Sequence, residues 1–236
     1  SHWIMYEYPR GGTAAQPNLD GSNAVCQYDL GDIICNVPVE RVDLQYPLQI
    51  LSHQLWQDSG GPGYHRGGLG LKRDIKVLAP EGCILSLVGE GAIIPRMGMS
   101  GGYSGGLNVF TVIREGMQFY PGHLPSKCAD FPLTQGDVLR IQARGGCGWG
   151  DPLSREVEWV HEDVALGYVS PKQAREAYGV ILAHGQVDVD ATQELRKQMK
   201  AERVYISVLS AETDEYDQLG RRRCPSRRAC SRWRLH

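Results

Sequence analysis

Three side chains that could take part in proton transfer lie together in one glycine-rich segment. Asp58, His65 and Arg66 fall within residues 58–70, and six of these thirteen residues are glycines. A histidine beside a carboxylate can act as a general acid or base near neutral pH. The same residue types also form ion pairs that hold a loop in place, and the sequence favours that structural role. Asp58, His65 and Arg66 are therefore the candidate catalytic residues.

Two glycine clusters, residues 58–70 and 145–150, are candidate anion-binding segments. Phosphate-binding loops combine glycines with a following helix, a lysine and a hydroxyl group. The first cluster leads into a strand-like segment instead, and no G-x-x-x-x-G-K-[ST] motif occurs. The second cluster precedes Asp151-Pro152, a helix start, but no lysine or serine follows in register, so a tight turn is favoured. We expect this chain to bind no cofactor by itself.

The seven histidines and seven cysteines form no pattern typical of a metal site. Neither H-x-H, H-x-x-x-H nor C-x-x-C occurs, so no metal-binding residue is predicted. His53 is predicted to be a core residue of a strand. Cys147 could be an exposed nucleophile, but a small buried residue is favoured because no positive partner is visible. The scattered cysteines favour unpaired thiols and a cytoplasmic location.

Charge is distributed unevenly along the 236 residues. Residues 221–234 contain seven arginines and no acid, and without them the net charge is −9 instead of −2. An acidic body disfavours nucleic acid as the main partner. The basic tail could bind RNA or acidic lipid, or could come from an altered reading frame. No apolar run is long enough to cross a bilayer, so no membrane association is predicted.

Apolar periodicity predicts an α+β fold, with a β-rich, mainly antiparallel body and a small C-terminal helical segment. The strand candidates are too closely spaced for intervening helices, which favours antiparallel pairing. Residues before Pro47 are predicted to be irregular. The candidate strands are Leu48–Trp56, Leu69–Ala79, Cys83–Val88, Leu107–Arg114 and Asp137–Ala143.

Three short helices are predicted after the body. The first begins at Pro152 with Asp151 as its cap, and Ser170 and Asp190 cap the other two. The division is residues 1–150 for the β-rich body, 151–203 for the helices, and 204–236 for a disordered or atypical arginine-rich tail. Within residues 58–70 we expect glycines with positive φ, at a subunit or active-site surface.

An ordered set of motifs resembles the C-terminal part of the hydantoinase B/oxoprolinase family. That family includes N-methylhydantoinase, caprolactamase and 5-oxoprolinase, and subunits of acetone and acetophenone carboxylases. The resemblance covers about residues 8–200. Its motifs are Gly11-Gly12-Thr13, Asp20-Gly21, Asn36-Val37-Pro38-Val39-Glu40, Tyr46-Pro47-Leu48, Asp58-Ser59-Gly60-Gly61-Pro62-Gly63, Arg66-Gly67-Gly68-Leu69-Gly70, Gly136-Asp137, Gly148-Trp149-Gly150-Asp151-Pro152 and Gly167-Tyr168-Val169-Ser170.

The resemblance implies a subunit or fragment of an ATP-dependent cyclic-amide hydrolase acting on hydantoins, 5-oxoproline or lactams. A hydantoinase A-type subunit would use ATP and Mg²⁺ to phosphorylate the amide oxygen. The remaining N-terminal part of the B-type subunit would hold a divalent transition metal. The alternatives are a subunit of a ketone carboxylase and a non-catalytic assembly module. The isolated chain is expected to be inactive.

Overall fold

A β-rich body is followed by a helical segment, as the sequence predicts. The computed structural model describes residues 3–25 and 37–217, with side chains through Arg203. The strands are β1 (Leu48–Leu55), β2 (Leu71–Val77), β3 (Cys83–Val88), β4 (Val109–Arg114), β5 (Met117–Phe119), β6 (Lys127–Leu133), β7 (Val138–Gln142), β8 (Leu182–Ala183) and β9 (Gln186–Val187). The helices are α1 (Val39–Gln45), α2 (Val157–Ala165), α3 (Pro171–Tyr178) and α4 (Val189–Asp217), with a 3₁₀ turn at Pro152–Ser154.

The strands form one five-stranded sheet and two small hairpin-like sheets. The large sheet has the order β1-β2-β7-β4-β5, while β3 pairs with β6 and β8 pairs with β9. Every pairing is antiparallel, which confirms the expectation from strand spacing. Apolar side chains from β2, β4 and β7 meet those of β3, β6 and α1 in the main core. Its buried members include Val42, Leu48, Ile75, Val77, Phe110, Val112, Leu133, Leu139 and Ile141.

Three elements of the body were not predicted. α1 lies in the segment expected to be irregular. It has only seven residues, of which only Val42 is buried, so its sequence gives little helical signal. β5 has only three residues. β6 contains Lys127, Asp130 and Pro132, which are disfavoured in strands, but its pairing with β3 holds it in place. Of the segment predicted to be irregular, residues 26–36 lie outside the described residues.

The helical segment differs from the prediction at two helix starts. Asp151 accepts a hydrogen bond from Leu153 N, but it caps the 3₁₀ turn, and the chain becomes extended at Arg155 before α2 begins. α3 begins as predicted, with Ser170 Oγ accepting from Gln173 N at 3.1 Å. At α4 the Asp188 carboxylate, not that of Asp190, accepts from Ala191 N.

The last helix is longer than expected. The backbone of α4 continues to Asp217, beyond the predicted end of the helical segment at residue 203. Residues 218–236, which include the arginine-rich stretch, lie outside the described residues, so their disorder remains a prediction. Among the helices that the structure describes, none combines the length and apolar character needed to cross a membrane.

The glycine-rich segments form a second core in which backbone packs on backbone. One prediction for residues 58–70 is wrong: none of their glycines has positive φ, and the residue of the segment that does is Asp58. The segment is largely buried within the chain, with only Asp58 and Tyr64 half-buried. Its place at a subunit or active-site surface stays a prediction. Glycine is needed here because a Cβ at Gly68 would lie 2.0 Å from Ser22 O.

Candidate functional site

A cleft of about 420 Å³ opens between the glycine-rich core and helix α2. The body contributes residues from the turn before Gly21 and from the end of the 58–70 segment, while the helical segment contributes the opposite wall. The lining residues are Asn18, Leu19, Asp20, His65, Arg66, Arg155, Trp159, Glu162, Asp163, Leu166 and Tyr168. This cleft contains two of the three candidate residues, His65 and Arg66.

The backbone of the glycine core positions His65 and Arg66. His65 and Trp149 exchange both backbone hydrogen bonds, at 2.9 and 3.0 Å. Gly21 N donates to Arg66 O at 2.7 Å, while Arg66 N donates to the Asp20 carboxylate at 2.8 Å. Both side chains are buried, with 8% of His65 and 4% of Arg66 exposed. Their direction into the cleft is therefore set by main-chain pairing.

Two arginines and two aspartates form an ion cluster in the wall of the cleft, in which Asp20 is half-buried and the other three are buried. Arg155 donates to both oxygens of Asp20, at 2.8 and 2.6 Å, and to Asp163 Oδ2 at 2.9 Å. Arg66 Nε donates to Asp163 Oδ1 at 3.2 Å. Since 2% of Arg155 and 5% of Asp163 are exposed, these charges are compensated mainly by one another. The cluster joins the β-rich body to α2.

The charged state of the cluster follows from this pairing. Burial alone would raise the pKa of Asp20, but hydrogen bonds from Arg155 and from the Arg66 backbone outweigh it and hold that pKa below its usual value. Burial would lower the pKa of Arg155, but the two carboxylates raise it overall. Burial also raises the pKa of Tyr178, whose hydroxyl is buried without a hydrogen-bond partner. At neutral pH Asp20 and Arg155 are therefore charged and Tyr178 is uncharged.

Aromatic rings surround His65. Its ring stacks against Trp159 with centroids 6.1 Å apart, and Tyr64 approaches it edge-on at 4.8 Å. The Arg155 guanidinium lies over Trp159, with Cζ 5.4 Å from the ring centroid. His65 Nδ1 lies 3.4 Å from Asp20 Oδ1, while no residue that the structure describes forms a hydrogen bond with Nε2. The imidazole could exchange a proton through Nε2 with a molecule in the cleft.

Asp58 lies elsewhere and has a structural contact. Its carboxylate accepts from Ser170 N at 2.7 Å at the start of α3, and its own backbone N–H donates to Tyr168 O. The carboxylate beside His65 is therefore Asp20, not Asp58. Asp58 connects the glycine core to α3.

The glycine amides of this core are already engaged within the chain. Gly61 N donates to Gly146 O, Gly67 N to Gly61 O, and Gly68 N to Thr13 O, all between 2.8 and 2.9 Å. A phosphate-binding loop needs free N–H groups. These three amides therefore cannot hold a phosphate, which agrees with the turn interpretation of the cluster.

The thiol and histidine candidates outside the cleft have different surroundings. Cys147 is buried, as expected. His53 is exposed on β1, so its interpretation as a core residue is wrong. In the part of the chain that the structure describes, no three His, Cys, Asp or Glu side chains are grouped so that they could bind a metal ion. The described residues therefore do not fit a transition metal.

Comparison with known proteins identifies the family. A family model described as "Hydantoinase B/oxoprolinase" matches residues 1–152. This chain belongs to the hydantoinase B/oxoprolinase family. The B subunit of a putative D-/L-hydantoinase from a Pseudomonas species is 28% identical over 198 residues, which cover 84% of this chain and 33% of that protein.

Two solved structures of family members share the fold. A nucleotide-free acetone carboxylase superposes with a TM-score of 0.71 at 25% identity, covering 88% of this chain and 32% of that one. An ATP-dependent caprolactamase from Pseudomonas jessenii superposes with a TM-score of 0.67 at 27% identity, covering 80% and 33%. This hydantoinase B-type chain thus spans about a third of the length of these three relatives.

Sequence reasoning missed most of the cluster in this hydantoinase B-type chain. In the sequence Asp20 stands out only as part of a turn motif, and neither Arg155 nor Asp163 is a candidate. Asp20 and Arg155 are 135 positions apart, so no local spacing connects them. Their one sequence signal is the family motif that contains Asp20-Gly21.

Proposed function

We propose that this chain is part of the B-type subunit of an ATP-dependent cyclic-amide hydrolase acting on hydantoins, 5-oxoproline or lactams. The observation that carries the proposal is the family match over residues 1–152. Similarity to a hydantoinase B-type protein and to an ATP-dependent caprolactamase supports the amide-hydrolase class. The cytoplasm, as the site of ATP supply, is part of the same proposal.

The chemistry explains why more than this chain is needed. An unstrained amide is a poor electrophile because nitrogen donates electron density to the carbonyl. Phosphorylation of the oxygen gives a good leaving group at the reacting carbon. In the proposal, a hydantoinase A-type subunit supplies ATP and Mg²⁺, and the remaining N-terminal part of the B-type subunit supplies a divalent transition metal. The relatives described as subunits support such an assembly.

This chain would contribute a scaffold, a subunit interface and one wall of the site. The ion cluster fixes the cleft wall that contains His65 and Trp159. Asp20, which faces Nδ1 of His65, is engaged by both terminal nitrogens of Arg155. We therefore assign His65 a structural role, and proton transfer through its Nε2 is the alternative.

A ketone carboxylase is the second candidate. The superposition on acetone carboxylase covers 88% of the chain and has the higher TM-score, 0.71 against 0.67 for caprolactamase. In this case phosphorylation would activate a ketone oxygen, and the carbon beside the carbonyl would then be carboxylated. The cleft residues would have the same supporting role.

Reconstitution tests the proposal and separates the two reactions. The chain would be co-expressed with a hydantoinase A-type polypeptide and the N-terminal part of a B-type subunit, and the purified complex assayed for phosphate release from ATP. Stimulation by hydantoin, 5-oxoproline or caprolactam, with ring-opened product, supports the hydrolase. Stimulation by acetone only when bicarbonate is present supports the carboxylase. A chain that joins no such complex contradicts both and favours the assembly-module alternative.

His65 variants in the same complex test its role. His65→Gln keeps a polar side chain of similar size but cannot transfer a proton. Turnover like that of the unchanged complex is expected for a structural residue. A loss of about 100-fold or more with the assembly intact would instead show proton transfer. Glu162→Gln, at the exposed rim of the cleft, is the control.

A further inference from the structure

A second cleft, of about 860 Å³, lies on another side of the glycine core. Three arginines line it, together with a single carboxylate among the lining residues that the structure describes, Glu90. Glu90 is engaged by Lys127, with Nζ–Oε1 at 2.7 Å. Unlike the first cleft, this one therefore has an excess of positive charge. Its charged lining residues are Arg10, Arg96, Arg144 and Glu90.

Arg144 is rigidly positioned in this second cleft. Its backbone N–H donates to Asn108 Oδ1 at 2.7 Å, and its carbonyl accepts from Gly12 N at 3.0 Å. Its side chain lies against Gly91, where a Cβ would come within 3.0 Å of Nη1. The backbone of Arg144 is thus held on both sides, and its guanidinium lies beside Gly91. Such positioning reduces the entropy lost when a ligand binds.

The Arg144 guanidinium is half-buried, and no carboxylate or carbonyl within the described residues forms a hydrogen bond with it. Burial is the main cause that lowers its pKa. Repulsion by Arg96 lowers the pKa further, and attraction by Glu90, which raises it, is the smaller effect. Two neighbouring guanidinium groups without a paired acid are electrostatically unfavourable when one is partly removed from water. A bound anion would relieve both effects.

We propose that Arg144 and Arg96 form a binding site for an oxyanion, a carboxylate or phosphoryl group on a small organic molecule. Planar guanidinium groups bind either group through paired N–H donors. Tyr8, Val25 and Phe110 in the same cleft provide apolar surface for the remainder of such a molecule. The site is separate from the cleft that contains His65, and it does not depend on the proposed hydrolase function.

Titration calorimetry of the full chain tests this site without any partner subunit. The probes are sodium phosphate and sodium acetate, each at an ionic strength held constant with sodium chloride. We expect saturable binding that Arg96→Gln and Arg144→Gln each weaken by about 10-fold or more. Arg175→Gln, an exposed arginine of α3, makes the same charge change elsewhere and should bind like the unchanged chain.

The outcomes separate the ligand sources. Tighter binding of phosphate identifies a phosphoryl ligand, and tighter binding of acetate identifies a carboxylate. The proposal would be overturned if neither anion binds saturably, or if neither arginine substitution weakens the binding. Should Arg144→Gln fail to fold, Arg96→Gln decides the question, because Arg96 is exposed and its loss leaves no buried gap.

Discussion

At the scale of single residues, glycines are required in this protein because of close backbone approach. Gly68 and Gly146 have neighbouring carbonyl oxygens where a Cβ would lie, at 2.0 Å from Ser22 O and 1.6 Å from Thr13 O. Backbone atoms held by hydrogen bonds on both sides cannot move aside as a side chain can. The cost of substitution therefore comes from a clash, and strain from positive φ plays no part at these positions.

We expect Gly68→Ala to lower the free energy of unfolding by about 1–3 kcal/mol or more. Gly106→Ala is the matched control, since its Cβ would have only ordinary contacts of 3.4–3.5 Å with Ser59. Urea denaturation followed by circular dichroism measures both. Equal unfolding midpoints for the two variants would contradict the steric explanation.

Asp20 should contribute stability that depends on pH. Its pKa is lowered in the folded protein, so its contribution is present above its unfolded pKa of about 3.9 and is lost as the pH falls through the folded value. Asp20→Asn should cost about 1–3 kcal/mol at pH 7, because it removes the charge that pairs with Arg155. The difference in thermal midpoint between the two proteins should shrink between pH 6 and pH 3. A constant difference over that range would show that the Asp20 charge contributes nothing.

At the scale of elements, the start of helix α3 connects the helical segment to the glycine core. Ser170 caps the helix through its hydroxyl, while its backbone N–H is held by Asp58. Asp58 has φ of +63°, a conformation that asparagine and aspartate tolerate better than most residues. A residue proposed from sequence as catalytic thus has a clear capping role in the structure.

Substitutions of Asp58 can separate this role from charge. Asp58→Asn keeps both the acceptor oxygen and the tolerance of positive φ, and should unfold at nearly the same urea concentration as the unchanged chain. Asp58→Ala loses both, and should cost about 1–2 kcal/mol. A large effect of Asp58→Asn would indicate that the negative charge itself matters.

At the scale of the whole molecule, Arg203 is the last residue whose side-chain contacts the structure describes. Its guanidinium pairs with Asp151 at 2.7 Å and lies 5.4 Å above the Tyr103 ring. A chain ending after Arg203 keeps these contacts. We expect its thermal midpoint to fall by no more than about 2–4 °C, the shift that corresponds to about 1 kcal/mol at this size. Insolubility of the shortened chain would show that later residues pack against the body.

The isolated chain should bind neither ATP nor a stoichiometric metal ion. Three amides of the glycine segments are occupied by internal carbonyls, and the described residues contain no group of three metal ligands. Calorimetry with MgATP and elemental analysis of the purified chain check this expectation. Micromolar ATP affinity, or close to one zinc, manganese or iron per chain, would contradict it.

Local sequence determined much of the architecture. Alternating apolar residues marked β1, β2, β3, β4 and β7, because strands with a buried face repeat every two residues. Ser170-Pro171 marked the start of α3, because capping depends on residues only three apart. The ordered glycine motifs identified the family, and at two of their positions, Gly12 and Gly68, a Cβ would lie 1.8 and 2.0 Å from a backbone carbonyl oxygen.

The tertiary structure alone decided which side chains meet. Sequence placed Asp58 with His65, whereas folding places Asp20 there and pairs it with Arg155 from the helical segment. It also brought Arg96 and Arg144 together in a cleft whose lining has a single acid among the described residues. Charge pairing acts through space, so neither arrangement has a local spacing that could reveal it. The glycines were likewise predicted to form tight turns, because a sequence does not show which backbone passes beside each one.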